Sequence, residues 1–84
     1  YKRIYELFCF DNSRNAEAVI RRQLFCYEMR KKGKFKYEDI AEIVKRDHAT
    51  VIYSVKKVED YISISDPQIR NAEIEFNRIK KNLS

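Results

Sequence analysis

Two short series of apolar residues, separated by the three charged residues 45–47, constrain this chain more than any other feature. Ile40, Ala41 and Val44 share one face of a helix. A second series resumes after the charged residues at spacings of four, three and four, and it consists of Val51, Val55, Val58 and Ile62. Both series can face one core if the chain forms a helix, a tight turn and a second helix over about 48–62.

The residues around the turn suit the start of that second helix. Asp47 can cap it, because its carboxylate can accept the free N–H groups of a first turn at 48–50. The first motif helix, over about 37–44, has Lys36 at its cap position in place of Ser or Thr. Small and polar residues at the start of the second helix are typical of a helix-turn-helix, whose second helix enters the DNA major groove with its first turn against the base edges.

The remaining sequence also predicts helices. Gly33 follows a helical stretch over about 14–32 and predicts that it ends in a left-handed conformation at this glycine. Asp66 and Pro67 predict the start of a last helix over about 67–83. The apolar stripe expected on the 14–32 helix consists of Ala16, Val19, Ile20, Leu24 and Tyr27. With one glycine, one proline and no long strand-like alternation, the chain is predicted to be all-α, a small helical bundle.

The two ends of the chain are expected to join the same core. Residues 1–10 are apolar enough to cover it, either as a helix or in extended form. The last helix is expected to pack within its own domain, because its seam is too short for a typical dimerising coiled coil. That seam consists of Ile69, Ala72, Phe76, Ile79 and Leu83. Residues 1–84 are therefore expected to form one domain.

Positive charge is concentrated in one segment. Residues 14–36 hold eight basic and two acidic residues, a local charge of +6 that exceeds the +5 of the whole chain. Such a concentration is typical of phosphate binding, although a solvated helix face would have the same composition. Phe35 and Tyr37 alternate with lysines here; they could stack on single-stranded bases, but rings at a helix start more often close the core.

The sequence contains no pattern for catalysis or for a resident metal or cofactor. A phosphate-binding GxxxxGK[ST] loop is excluded because Gly33 is the only glycine, and His48, the only histidine, has no partner base or nucleophile. Cys9 and Cys26 are interpreted as core thiols, with a disulfide as the alternative. No apolar run approaches the roughly 20 residues that span a bilayer, and we expect no charged-then-apolar leader before Tyr1. We therefore expect a cytoplasmic, non-enzymatic protein.

The segment 46–52 reads Arg-Asp-His-Ala-Thr-Val-Ile and resembles the signature of the C-terminal DNA-binding domain of the bacterial replication initiator DnaA. That signature is Arg-Asp-His, then Thr, Ser or Ala, then Thr-Val and an aliphatic residue. Arg22 and Gln23 resemble the Arg-Gln pair of the family's long central helix, and Arg14 stands where the family has a basic-loop arginine. The resemblance covers about residues 11–83 and implies a Trp-repressor-like helical bundle that carries a helix-turn-helix.

The resemblance also implies a partner and a set of contacts. The partner would be double-stranded DNA, bound by one monomer per site in replication initiation or its regulation. Arg14 would enter the minor groove, where narrow AT-rich DNA concentrates negative potential. The other base contacts would come from Arg46, Asp47, His48, Ala49 and Thr50. The phosphate contacts would come from Arg22, Gln23, Arg30, Lys36, Tyr37 and Lys56.

Other interpretations stay open at this point. One alternative is that Asp47 caps the helix and contacts no base, although capping and base contact are compatible. A protein-interaction adaptor that keeps the fold without specific DNA binding is the alternative function, with the C-terminal helix as the surface for protein partners. This chain also has Val44 and Lys45 where the family often has a pair of glycines before the arginine. That difference bears on the geometry of the turn.

Overall fold

The computed structural model describes residues 2–9 and 16–83, and this part of the chain forms five helices without a strand. In chain order the helices are α1 (Lys2–Phe8), α2 (Ala16–Lys31), α3 (Tyr37–Val44), α4 (His48–Ser63) and α5 (Pro67–Leu83). The predicted all-α class is confirmed. Helices α3 and α4 are the two helices that the apolar spacing predicts around the turn.

Helix α2 lies at the centre of the bundle and contacts α3, α4 and α5. Helix α1 packs against α3 and α5, so the N-terminal stretch covers the core as a helix. The Tyr5 ring of α1 lies 4.9 Å from the Phe25 ring of α2. The Phe8 ring meets Phe76 of α5 edge-on at 5.3 Å. Aromatic pairs in such orientations stabilise a core beyond the area that they bury, so these rings fix α1 on the bundle.

The predicted apolar stripe of α2 is only partly right. Ile20 and Leu24 are buried, but Ala16 is exposed, and Val19 and Tyr27 are half-buried. The structure instead buries several other residues of this helix, namely Ala18, Phe25, Cys26, Glu28 and Met29. The physical reason is that a helix with neighbours on several sides has no single buried face, so a stripe assigned by a one-sided period misplaces part of its core.

The end of α2 also differs from the prediction. Gly33 does not adopt a positive φ; Lys34 does, at φ 57°. The N–H of Gly33 donates to the Glu28 carbonyl at 3.1 Å, and the Phe35 N–H donates to the Met29 carbonyl at 3.1 Å. A Cβ at Gly33 would lie 2.7 Å from Cδ2 of Phe35. Glycine is therefore required for the close approach of a ring and not for a left-handed backbone.

Helix α5 begins and packs as its sequence predicts. The Gln68 N–H donates to the Asp66 carboxylate at 2.8 Å, and Pro67 is the first helical residue, where its missing N–H costs no hydrogen bond. Three residues of its seam are buried, Ile79 is half-buried and Leu83 is exposed. The helix lies against α1, α2 and α4, which agrees with intramolecular packing.

The two cysteines are free and buried, which confirms them as core thiols. Burial raises the pKa of Cys9 and of Cys26 to about 12, because a thiolate would lose its hydration in the core. Phe35 and Tyr37 are half-buried and pack against the core, as expected for rings that close it.

Candidate nucleic-acid interface

The turn between α3 and α4 is tight because one residue adopts a left-handed backbone. Lys45 has φ 57° and ψ 46°, and its N–H donates to the Ala41 carbonyl. The Arg46 N–H donates to the same carbonyl at 3.1 Å. A left-handed conformation is unfavourable for a residue with a Cβ, so Lys45 does at a conformational cost what glycine would do freely.

Asp47 caps α4. Its carboxylate accepts the backbone N–H of Thr50 at 2.8 Å, as the sequence predicts. Hydrogen bonds from the Thr50 backbone and side chain lower the pKa of Asp47, because both favour the ionised carboxylate. The carboxylate therefore fixes the start of α4 and places a negative charge beside its first turn.

The first turn of α4 faces solvent. His48, Ala49 and Thr50 are all exposed, whereas Val51 is fully buried directly after them. The hydroxyl of Ser54 donates to the Thr50 carbonyl at 2.8 Å and ties this turn to the next. The exposed start of α4 thus carries these three side chains, and the buried valines of the same helix hold it against the bundle.

Arg30 lies where α2, the following linker and α3 meet. Its guanidinium donates to the Phe35 carbonyl at 3.1 Å and lies over the Tyr37 ring, 4.2 Å from the ring centre. A hydrogen bond and a cation–π contact together hold this side chain beside the start of α3. At that start Lys36 is exposed and makes no side-chain cap, so the first N–H groups of α3 have no side-chain partner from the cap residue.

The arginines of α2 do not share one role. Arg21 donates to the Phe8 carbonyl at 3.3 Å and to Glu17 at 3.1 Å, which ties α1 to α2. Arg21 and Arg30 therefore both make hydrogen bonds within the bundle. Arg22 is half-buried, and its side chain makes no hydrogen bond or ion pair with another described residue.

Gln23 and Lys56 occupy different environments, and Arg14 lies outside the described residues. Gln23 is half-buried, and its amide oxygen is buried with no hydrogen-bond partner in the described part of the protein. Lys56 is exposed on α4, one turn after Tyr53. The neighbouring Lys57 places its ammonium group 5.5 Å from the centre of the Tyr61 ring.

Two further tyrosines are not among the contacts with double-stranded DNA that the resemblance implies. Tyr53 is 59% exposed on α4. Burial raises the pKa of Tyr5 in α1, and the charges of Arg22 and Arg46 partly oppose that rise. The helical period could have revealed Tyr53, because it lies opposite the buried valines. Nothing local in the sequence could have revealed Tyr5, since its neighbours are distant in the chain.

The described residues contain no cluster of three or more His, Cys, Asp or Glu side chains that could hold a metal ion. In the same part of the protein, no helix is long and apolar enough to cross a membrane. What the arrangement offers is a binding surface: a capped, exposed helix start with basic side chains around it.

A short helix, a tight turn and a second helix with an exposed, capped start define a helix-turn-helix protein. The chain matches the family described as bacterial dnaA protein helix-turn-helix over residues 9–58, which is more than half of its length. It belongs to that family, and the resemblance found in the sequence is confirmed. No curated protein and no solved structure gives a significant match. Membership suggests DNA binding in replication initiation, and the family is not a catalytic one.

Proposed function

We propose that this protein binds double-stranded DNA sequence-specifically, with the start of α4 in the major groove and Arg14 in the minor groove, in replication initiation or its regulation. The observation that carries the proposal is the exposed first turn of α4 at 48–50, held by the Asp47 cap. A recognition helix reads base edges with its first turn, and buried residues there could not reach them.

The proposed base contacts follow from the chemistry of this turn. Ala49 and the methyl group of Thr50 suit the methyl groups of thymine. The imidazole of His48 and the carboxylate of Asp47 suit donor and acceptor groups on base edges. Arg46 is exposed beside them. Arg14 is proposed for the minor groove on the family resemblance.

The residues proposed as phosphate contacts differ in how exposed they are. Lys36 and Lys56 are exposed, while Arg22, Gln23 and Tyr37 are half-buried. Arg30 is held by Phe35 and Tyr37, so it would meet a phosphate as a pre-positioned charge. Residues 1–84 are proposed to act as one domain, with one monomer per DNA site.

Selection of bound duplexes from a randomised pool at about 0.15 M salt tests the proposal, because that salt partly suppresses non-specific binding. Enrichment of a short, asymmetric box that contains AT pairs is the expected result. Replacing Ala49 or Thr50 should then relax the preference, with about 1–3 kcal/mol lost for each base discrimination. A pool that stays random would favour the adaptor function, with α5 as the surface for protein partners.

The salt dependence of binding tests the phosphate contacts separately. Each lost phosphate contact should reduce the slope of log affinity against log salt by about 0.9. Arg22→Ala is expected to do so. Arg21→Ala is the matched control, because this neighbouring arginine is bonded to Phe8 and Glu17 within the bundle. Equal slopes for wild type and Arg22→Ala would contradict the assignment of Arg22.

A further inference from the structure

Tyr53 differs from the other aromatic residues in the described part of the chain. Its side chain is 59% exposed. Every other described phenylalanine or tyrosine is buried or half-buried. The fully buried ones are Phe8, Phe25 and Phe76. The Tyr53 ring is therefore accessible to a partner outside the protein.

Tyr53 lies at the middle of the solvent-exposed side of α4. Viewed down the helix, Ala49, Tyr53 and Lys56 point within about 60° of each other at 100° per residue. We call these three residues the outer face of α4. The opposite side holds the buried valines, which are Val51, Val55 and Val58. The outer face therefore points away from the core and in the direction of any duplex that the first turn of α4 contacts.

Along the helix axis, Tyr53 lies about 6 Å beyond Ala49 and about 4.5 Å before Lys56. Ala49 belongs to the turn proposed to face the bases, and Lys56 is proposed to face a phosphate. In a bound duplex, a side chain between them would lie between the base edges and the phosphate backbone. A tyrosine at this position can reach from α4 to the phosphate backbone, and its hydroxyl can donate a hydrogen bond there.

We propose that the Tyr53 hydroxyl donates a hydrogen bond to a phosphate oxygen of the duplex, beside the bases that face Ala49. The ligand chemistry is a phosphodiester of double-stranded DNA, so this inference rests on the proposed function. Tyrosine adds no positive charge, and a neutral donor displaces no condensed counterion. Tyr53 thus contributes affinity that does not depend on base sequence and leaves the salt dependence unchanged, which distinguishes it from every lysine and arginine nearby.

The test compares wild type, Tyr53→Phe and Lys56→Ala on the selected duplex, on a scrambled duplex and on one strand alone, over a range of salt concentrations. Tyr53→Phe removes only the hydroxyl of an exposed side chain, so circular dichroism and the melting temperature should not change. We expect it to weaken both duplexes by the same factor, about tenfold, with an unchanged slope against log salt. Lys56→Ala should reduce that slope by about 0.9.

Three results would overturn the inference. Wild-type affinity of Tyr53→Phe for both duplexes would show that the hydroxyl contacts no phosphate. A loss confined to the selected duplex would assign the hydroxyl to a base edge. A larger loss on the single strand than on either duplex would show that the hydroxyl contacts unpaired nucleic acid in preference to a duplex phosphate. Failure of wild type to bind any duplex would refute the proposed function itself and is separate from these three results.

Discussion

The guanidinium carbon of Arg30 lies 4.2 Å from the centre of the Tyr37 ring and joins the end of α2 to the start of α3. The same guanidinium donates to the Phe35 carbonyl at 3.1 Å. We predict that Arg30→Ala lowers the free energy of unfolding by about 1–3 kcal/mol, because it removes a cation–π contact and a hydrogen bond. Urea denaturation measures this loss.

Arg30→Lys, with Lys31→Ala as a control, separates the contribution of the Arg30 side chain to stability from the effect of its charge on DNA binding. Arg30→Lys keeps the charge but loses the planar group, so it should be destabilised while the salt slope of DNA binding stays at the wild-type value. Lys31→Ala is the control, since its 3.7 Å ion pair with Glu59 is half-exposed and should contribute less than about 1 kcal/mol. A fully stable Arg30→Ala protein would contradict this role.

Gly33→Ala is predicted to destabilise the protein by about 1–3 kcal/mol, as overpacking does. The added Cβ would lie 2.7 Å from Cδ2 of Phe35 and 2.9 Å from the Met29 carbonyl oxygen. The free energy of unfolding should be measured in a double-mutant cycle with Phe35→Ala. If the ring is the main obstacle, Gly33→Ala costs less in the Phe35→Ala background; an unchanged cost would assign the clash to the backbone oxygen.

The Asp47 cap should make the stability of the protein depend on pH in the acid range. The pKa of Asp47 is lowered in the folded protein, so its contribution is present above the unfolded pKa of about 3.9 and is lost as pH falls through the folded pKa. Melting temperatures between about pH 6 and pH 2 should therefore fall more steeply for wild type than for Asp47→Asn, which keeps a capping oxygen without the titration. Asp47→Ala should have a lower melting temperature at neutral pH. Parallel curves for wild type and Asp47→Asn would contradict the prediction.

Lys45→Gly is expected to leave stability unchanged or to raise it by up to about 1 kcal/mol. Glycine removes the strain of the left-handed backbone at φ 57°, and its greater freedom in the unfolded chain offsets part of that gain. Lys45→Val is the control and should be clearly destabilised, because a β-branched residue fits this conformation poorly. Chemical denaturation of both variants decides the matter; a gain in stability with valine would refute the interpretation of the turn.

Glu28 is 2% exposed, and its only charged contact in the described part of the chain is Lys32, whose ammonium lies 3.2 Å from Oε2. Neither carboxylate oxygen accepts a hydrogen bond there, so the pair meets outside hydrogen-bond geometry. We predict that Glu28→Met is neutral or stabilising by about 1 kcal/mol, whereas Lys32→Ala destabilises because it leaves a buried charge unpaired. In thermal and urea unfolding, Glu28→Met should be at least as stable as wild type, and Lys32→Ala should be less stable.

The structure assigns roles to the basic residues that the sequence could not distinguish. Arg21, Arg22 and Arg30 stand on one helix with similar local surroundings. Their differences arise from contacts with α1 and with the linker before α3, which come from elsewhere in the chain. The predicted base and phosphate contacts stay predictions for the DNA experiments to decide.

The class of fold, the positions of α3, α4 and α5, and the caps at Asp47 and Asp66 could all be predicted from the sequence. These features depend on the helical period of apolar side chains and on hydrogen bonds between residues within four positions of each other. The local sequence is therefore enough to predict them. The tertiary structure was needed to show which sides of α2 are buried and that Lys34, Lys45 and Ser65 adopt a left-handed backbone. Those outcomes depend on packing between helices, where burial against several neighbours outweighs both a one-sided apolar stripe and the backbone preference of a single residue.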